Sequence, residues 1–125
     1  MGITTGKYSI TETDYLFIDT GATEAAETDV FGGSVTIYSM HFFHNHSNPA
    51  YVKIYNATTA TVGTTDPDII LKADGTSTNN GHTYWTIVDG LSLTNMTYAA
   101  EDSSGTTGTA APDSGAGVKI DMVVR

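Results

Sequence analysis

The sequence predicts an all-β fold: a single-domain β-sandwich, jelly-roll or Greek-key-like, of about eight strands. Three observations predict it. Threonine is the commonest residue, glycine is next and tyrosine is frequent, a composition suited to pleated, half-buried strands joined by turns. Leucine, a strong helix former, occurs only at 16, 71, 91 and 93. Short apolar or alternating runs, separated by Gly, Asn, Asp and Pro, recur at the spacing of a sandwich or barrel.

Each element follows from its local pattern. An alternating piece at 8–11 precedes the apolar run Tyr15-Leu-Phe-Ile18. Residues 21–28 are helix-compatible through Ala22, Glu24, Ala25, Ala26 and Glu27, but they are short and lack an apolar face. A loop or single turn is expected there. Gly32-Gly33 opens a long strand from Ser34 to about Asn45. Alternation puts Val35, Ile37, Ser39, His41 and Phe43 on one side, and Thr36, Tyr38, Met40, Phe42 and His44 on the other. Both sides are partly apolar, as in a central strand or one whose second side meets another chain.

Ser47-Asn-Pro49 turns the chain. Tyr51-Val-Lys-Ile-Tyr55 then alternates, which predicts Val52 and Ile54 in the core and Tyr51, Lys53 and Tyr55 facing outward. A Gly/Thr turn region leads through Asp66-Pro67 into Asp68-Ile-Ile-Leu-Lys72, and a polar loop covers 73–81. Tyr84-Trp-Thr-Ile-Val88 is expected to end at Asp89-Gly90, a turn pair, with Trp85 in the core. Another alternating run spans 91–99. Residues 101–117 are Ser, Gly, Thr, Ala and Asp, too polar to build a core, so they form a surface or partner-bound loop. Val118-Lys-Ile-Asp-Met-Val-Val124 closes the chain with a half-buried pattern. No repeat period is evident. Residues 1–7 are expected as an N-terminal arm and 8–125 as the sandwich domain.

Composition narrows the function. A chain of 125 residues suits one domain with a core of its own. It has no cysteine, hence no disulfide framework and no thiolate zinc site. Five basic residues face fourteen acidic ones, for a net charge of -9. Lys7, Lys53, Lys72, Lys119 and Arg125 stand singly, so the clustered cations that nucleic acid requires are missing. No apolar run approaches a membrane span, and residues 1–7 lack the basic start and apolar core of a signal peptide. Neither nucleic acid nor membrane is expected as a partner.

Candidate chemistry is sparse. His44 and His46 would share a strand face and could both ligate a metal, with His82 as a third ligand on an adjacent strand. His41 belongs to the same cluster. No carboxylate in the motif completes a facial triad, and imidazoles bonded locally at a strand end explain the cluster equally well. Asp66, Asp68, Asp89, Glu101, Asp102 and Asp113 sit at turns, where calcium binds but where aspartate is also common for backbone reasons. No serine lies in a nucleophile elbow. An enzyme is therefore not expected, and no cofactor or metal is assigned. Tyr51 and Tyr55, flanking Lys53, are candidates to stack on sugars or anchor an interface.

One resemblance bears on function. Asn45-His-Ser-Asn-Pro-Ala-Tyr-Val-Lys-Ile-Tyr-Asn56, then Thr61-Val-Gly-Thr-Thr-Asp-Pro67 and later Asp89-Gly-Leu-Ser-Leu93, resemble small β-sandwich virion proteins of tailed bacteriophages, of the capsid decoration (cement) or head-fibre type. The resemblance implies a structural protein on the capsid surface that binds the major capsid protein and stabilises the shell. It further implies a homo-oligomer, expected as a trimer. Candidate contacts are Ile3 and Lys7 in the arm, Tyr51, Lys53 and Tyr55, and Glu101 and Asp102 at the start of the long loop. The alternative is a tail- or fibre-associated module that binds a receptor or carbohydrate.

Overall fold

The structure is a computed structural model and describes residues 3–7 (backbone), 14–113 and 116–125. The alternating piece at 8–11 and the side chains of Ile3 and Lys7 lie outside the described residues. Eight strands are present: β1 (Ile3–Lys7), β2 (Tyr15–Ala22), β3 (Val35–Phe43), β4 (Ala50–Tyr55), β5 (Ile69–Ala73), β6 (His82–Leu93), β7 (Thr97–Glu101) and β8 (Val118–Val124). They form two antiparallel sheets, in the orders β1-β2-β8-β3-β6 and β5-β4-β7. The all-β sandwich is as the composition predicts. Residues 3–7, read as an arm, add an edge strand to β2.

The connectivity is nested. β2 pairs with β8, β3 with β6 and β4 with β5. The remaining pair joins residues 23–30 to β7: Glu27 and Tyr98 exchange backbone bonds of 2.8 and 3.0 Å, and Ala100 N donates to Thr23 O at 2.9 Å. Leaving out the edge strand β1, the nested pairs β2 with β8, residues 23–30 with β7, β3 with β6 and β4 with β5 follow the folded-over order of a jelly roll. Residues 21–28, expected as a loop, thereby protect the outer edge of β7.

The core lies between the sheets. Phe17, Ile37, Met40 and Phe42 from one sheet meet Val52, Ile54 and Tyr98 from the other, with Ile120 and Met122 beside them. Each such side chain, taken fully from water, contributes about 1.5–3 kcal/mol. Tyr98 crosses the sandwich edge-on to Phe17, and its hydroxyl donates to buried Asp19 at 2.5 Å. Burial and that acceptor push the phenol well above its ordinary range, so it stays a donor.

Three strand readings need correction. In β3 the register shifts between Ile37 and Ser39, and this bulge reverses the alternation. Val35 and Ile37 are buried, then Met40, Phe42 and His44, while Ser39, His41 and Phe43 turn to the outer face. In β6, Asp89-Gly90 does not end a strand. Ile37 pairs with Leu91 and Ser39 with Thr86, so 87–90 bulge out of a continuous strand, with Gly90 at φ 79°. The chain reverses later, at 94–96, where Asn56 Oδ1 accepts from Thr94 N and Asn95 N.

The third correction concerns β4. Lys53 and Tyr55 are fully buried rather than outward, because the long loop after β7 folds back across them. Lys53 Nζ donates to Glu101 and, at 2.5 Å, to Gly105 O. Residues 107–109 of that loop pack against Gly63 in the β4–β5 connection. Thus β4 is covered on both faces. Removing one member of such a pair leaves a buried charge unmatched. Lys53→Met is expected to lower unfolding free energy in urea by about 3–5 kcal/mol, and adding Glu101→Leu to recover most of it.

Candidate functional site

With the outer face of the smaller sheet covered, the outer face of the larger one is the exposed broad surface among the described residues. Register lays its side chains in rows. One row runs Ile18, Asp121, His41, Tyr84; the next, Leu16, Val123, Ser39, Thr86; a third holds Lys119, Phe43 and His82. Most of these are half-buried, and Tyr84 is 67% exposed.

At the centre lies a hydrogen-bonded tape. His41 Nδ1 sits 3.2 Å from Asp121 Oδ2, and His41 Nε2 sits 2.9 Å from His82 Nδ1. The two imidazole planes differ by 11° with centroids 5.1 Å apart. Together with the short N···N distance, that places the rings edge to edge in one plane. The carboxylate only accepts, so His41 carries its proton on Nδ1. Between His41 Nε2 and His82 Nδ1 a single proton is shared.

Aromatic rings brace the tape. Tyr84 stacks on His41 at 4.6 Å and 15°, and Phe43 leans on His82 at 4.8 Å. Lys119 Nζ stands 3.8 Å from Asp121, which balances the carboxylate's charge. A groove of about 190 Å³ opens beside the stack, lined among others by Ser39, His41, Tyr84, Trp85, Thr86 and Asp121. Trp85, expected in the core, is 37% exposed because β6 is an edge strand with no neighbour beyond it. Val88, on the bulge, is 88% exposed.

The residues singled out from sequence are distributed differently. Tyr51 is half-buried and Asp102 exposed, while Lys53, Tyr55 and Glu101 are sealed. β1, which carries Ile3 and Lys7, belongs to the other sheet. The Tyr51, Lys53, Tyr55 face is therefore no open platform. The histidines divide as well. His82 joins His41, not His44 and His46. β3 ends at Phe43, so His44 turns into the interior while His46 stays 37% exposed, 3.8 Å from Asp113. The turn carboxylates serve local structure: Asp68 accepts from Asn56 N, and Asp113 from Asn48 Nδ2. Among the described residues no three His, Asp or Glu side chains converge on a metal position.

Sequence reasoning misses Asp121 and Tyr84 as members of a site. Alternation in β8 turns Asp121 outward, but only the pairing of β8 and β6 on either side of β3 brings both to His41. The fold is a jelly-roll sandwich whose larger sheet carries this cluster on its outer face. The chain matches no protein-family model, no curated protein and no solved structure.

His44 supplies a pH test. Its ring is fully buried. Burial, with His46 nearby, lowers its pKa. The unfolded chain then binds more protons than the folded one below the ordinary imidazole value of about 6.5. The stability from neutral His44 is present above that value and lost as pH falls toward the lower folded-state value. The thermal midpoint should drop across this interval in the native chain and drop less in His44→Leu.

Proposed function

We propose that the chain is a structural protein of a tailed-bacteriophage virion, a decoration (cement) protein that binds the major capsid protein on the head surface and stabilises the shell as a homotrimer. The jelly-roll sandwich and the phage-like segments at 45–56, 61–67 and 89–93 support this reading. The observation that carries it is the edge of the larger sheet. From His82 to Val88, β6 bears no Asp, Glu, Lys or Arg, in a chain of net charge -9. The same stretch exposes Tyr84, Trp85 and Val88. Edge strands of isolated domains are usually blunted by charge or proline, and clustered exposed apolar side chains mark contact surfaces. β6 is thus suited to seat against a neighbouring protein through its apolar side chains and unpaired backbone.

The test uses particles that lack the protein. Added native chain should bind them, appear on heads rather than tails by immunogold labelling, and raise the temperature at which heads release DNA. Val88→Asp should fold normally and bind at least about tenfold more weakly, since a charge would be desolvated in the contact. Heads equally heat-resistant with and without the chain would overturn the cementing role.

A further inference from the structure

The groove beside Tyr84 has a use that seating on a capsid does not require. We propose that it binds one ring of a neutral oligosaccharide, with the sugar's apolar face on Tyr84 and its hydroxyls toward Ser39 and Thr86. The inference is independent of the cementing role.

The first argument is preorganisation. An exposed tyrosine ordinarily samples several rotamers, and ordering it on binding costs free energy. Here the Tyr84 ring is already held parallel to His41, and Asp121 and His82 hold His41 at either edge. A flat aromatic face is therefore presented to solvent in one orientation. Such a face suits a ligand with a flat apolar side, as a pyranose has across its ring hydrogens.

The second argument is hydrogen-bond chemistry. Ser39 and Thr86 hydroxyls both donate and accept, and both line the groove. A ligand that matches this floor carries groups able to do both, which is the property of sugar hydroxyls.

The third argument is charge and size. Lys119 balances Asp121 and His41 Nδ1 donates to it, so the groove lacks the unmatched carboxylate that would select a cation. Phosphate or an acidic sugar would meet a chain of net charge -9, and among the described residues that line the groove there is no Lys or Arg to receive it. The volume of about 190 Å³ is below the ~300–1,000 Å³ typical of sites that enclose a drug-sized ligand. It suits one ring of a longer chain.

The test titrates the ¹⁵N-labelled full chain with maltotriose, cellotriose and chitotriose as neutral probes and sialyllactose as an acidic one. At least one neutral probe should shift amide signals clustered at Ser39, Tyr84, Thr86 and Asp121 and quench Trp85 fluorescence. Sialyllactose should bind more weakly. Tyr84→Phe should retain binding, because the stacking face remains. Tyr84→Ala should weaken it by about tenfold or more, and its unchanged amide spectrum elsewhere would show that the fold is intact. Absence of shifts with all three neutral probes at millimolar concentration would overturn the proposal. So would binding unaffected by Tyr84→Ala, or sialyllactose binding as well as the neutral probes. Val88→Asp, outside the groove, should keep sugar binding while losing capsid binding, which separates this site from the β6 contact.

Discussion

The buried pair of Lys53 and Glu101 decides which side of this sandwich is open. A lysine in the middle of a central strand cannot stay charged and dry without a partner. Glu101, diagonal to it on β7, supplies the charge, and Gly105 O supplies a further acceptor. Meeting that second demand draws the loop after β7 over the smaller sheet. Once there, the loop buries Tyr55 and packs against the β4–β5 connection. Covering costs the loop conformational freedom that its Ser, Gly and Thr would otherwise keep, so the pair's hydrogen bonds and the buried tyrosine must together exceed that cost. The larger sheet has no comparable loop among the described residues, and its outer face stays available.

A second constraint acts inside β3. Without the bulge at Tyr38, strict alternation would send His41 and Phe43 to the same side as Ile37, into the core, and Met40 and Phe42 out to solvent. The two phenyl rings would cancel, but Met40 would be exchanged for an imidazole, a loss of about 1.5–3 kcal/mol by burial alone. One extra residue in β3 is set against the four-residue bulge in β6, so both strands leave regular pairing at the same level. The bulge places His41 beside Asp121 and Tyr84, and it also lifts Val88 off the sheet.

Strand content and nearly every strand position are legible in the sequence because each run carries its own period and its own turn residues. Tyr51-Val-Lys-Ile-Tyr55 is a case in point: its place and partner strand β5 follow directly, and Val52 and Ile54 face the core as alternation demands. What alternation cannot give is the state of the other face, since Lys53 looks solvent-directed until a loop fifty residues away is known to cover it. Bulges are equally hidden. Nothing local distinguishes Asp89-Gly90 in a strand excursion from Asp89-Gly90 in a hairpin, because both need a residue at positive φ. The site is the least legible part. His41, His82, Tyr84 and Asp121 come from three strands, and their meeting is a property of strand order.

The tape and the uncharged edge sit on the same strand, and their proximity has a physical logic. A chain this acidic repels its neighbours over most of its surface, so a contact is least opposed where charge is absent or internally cancelled. β6 satisfies the first condition from His82 to Val88. The adjoining Asp121 and Lys119 satisfy the second, since their charges face each other at 3.8 Å rather than outward, with His41 bonded to the same carboxylate. Association at such a surface draws on stacking, apolar burial and directional hydrogen bonds instead of ion pairing, and it should therefore depend weakly on salt. That distinguishes it from contacts made through exposed loop carboxylates such as Asp102, whose attraction to a basic partner would fade as ionic strength rises.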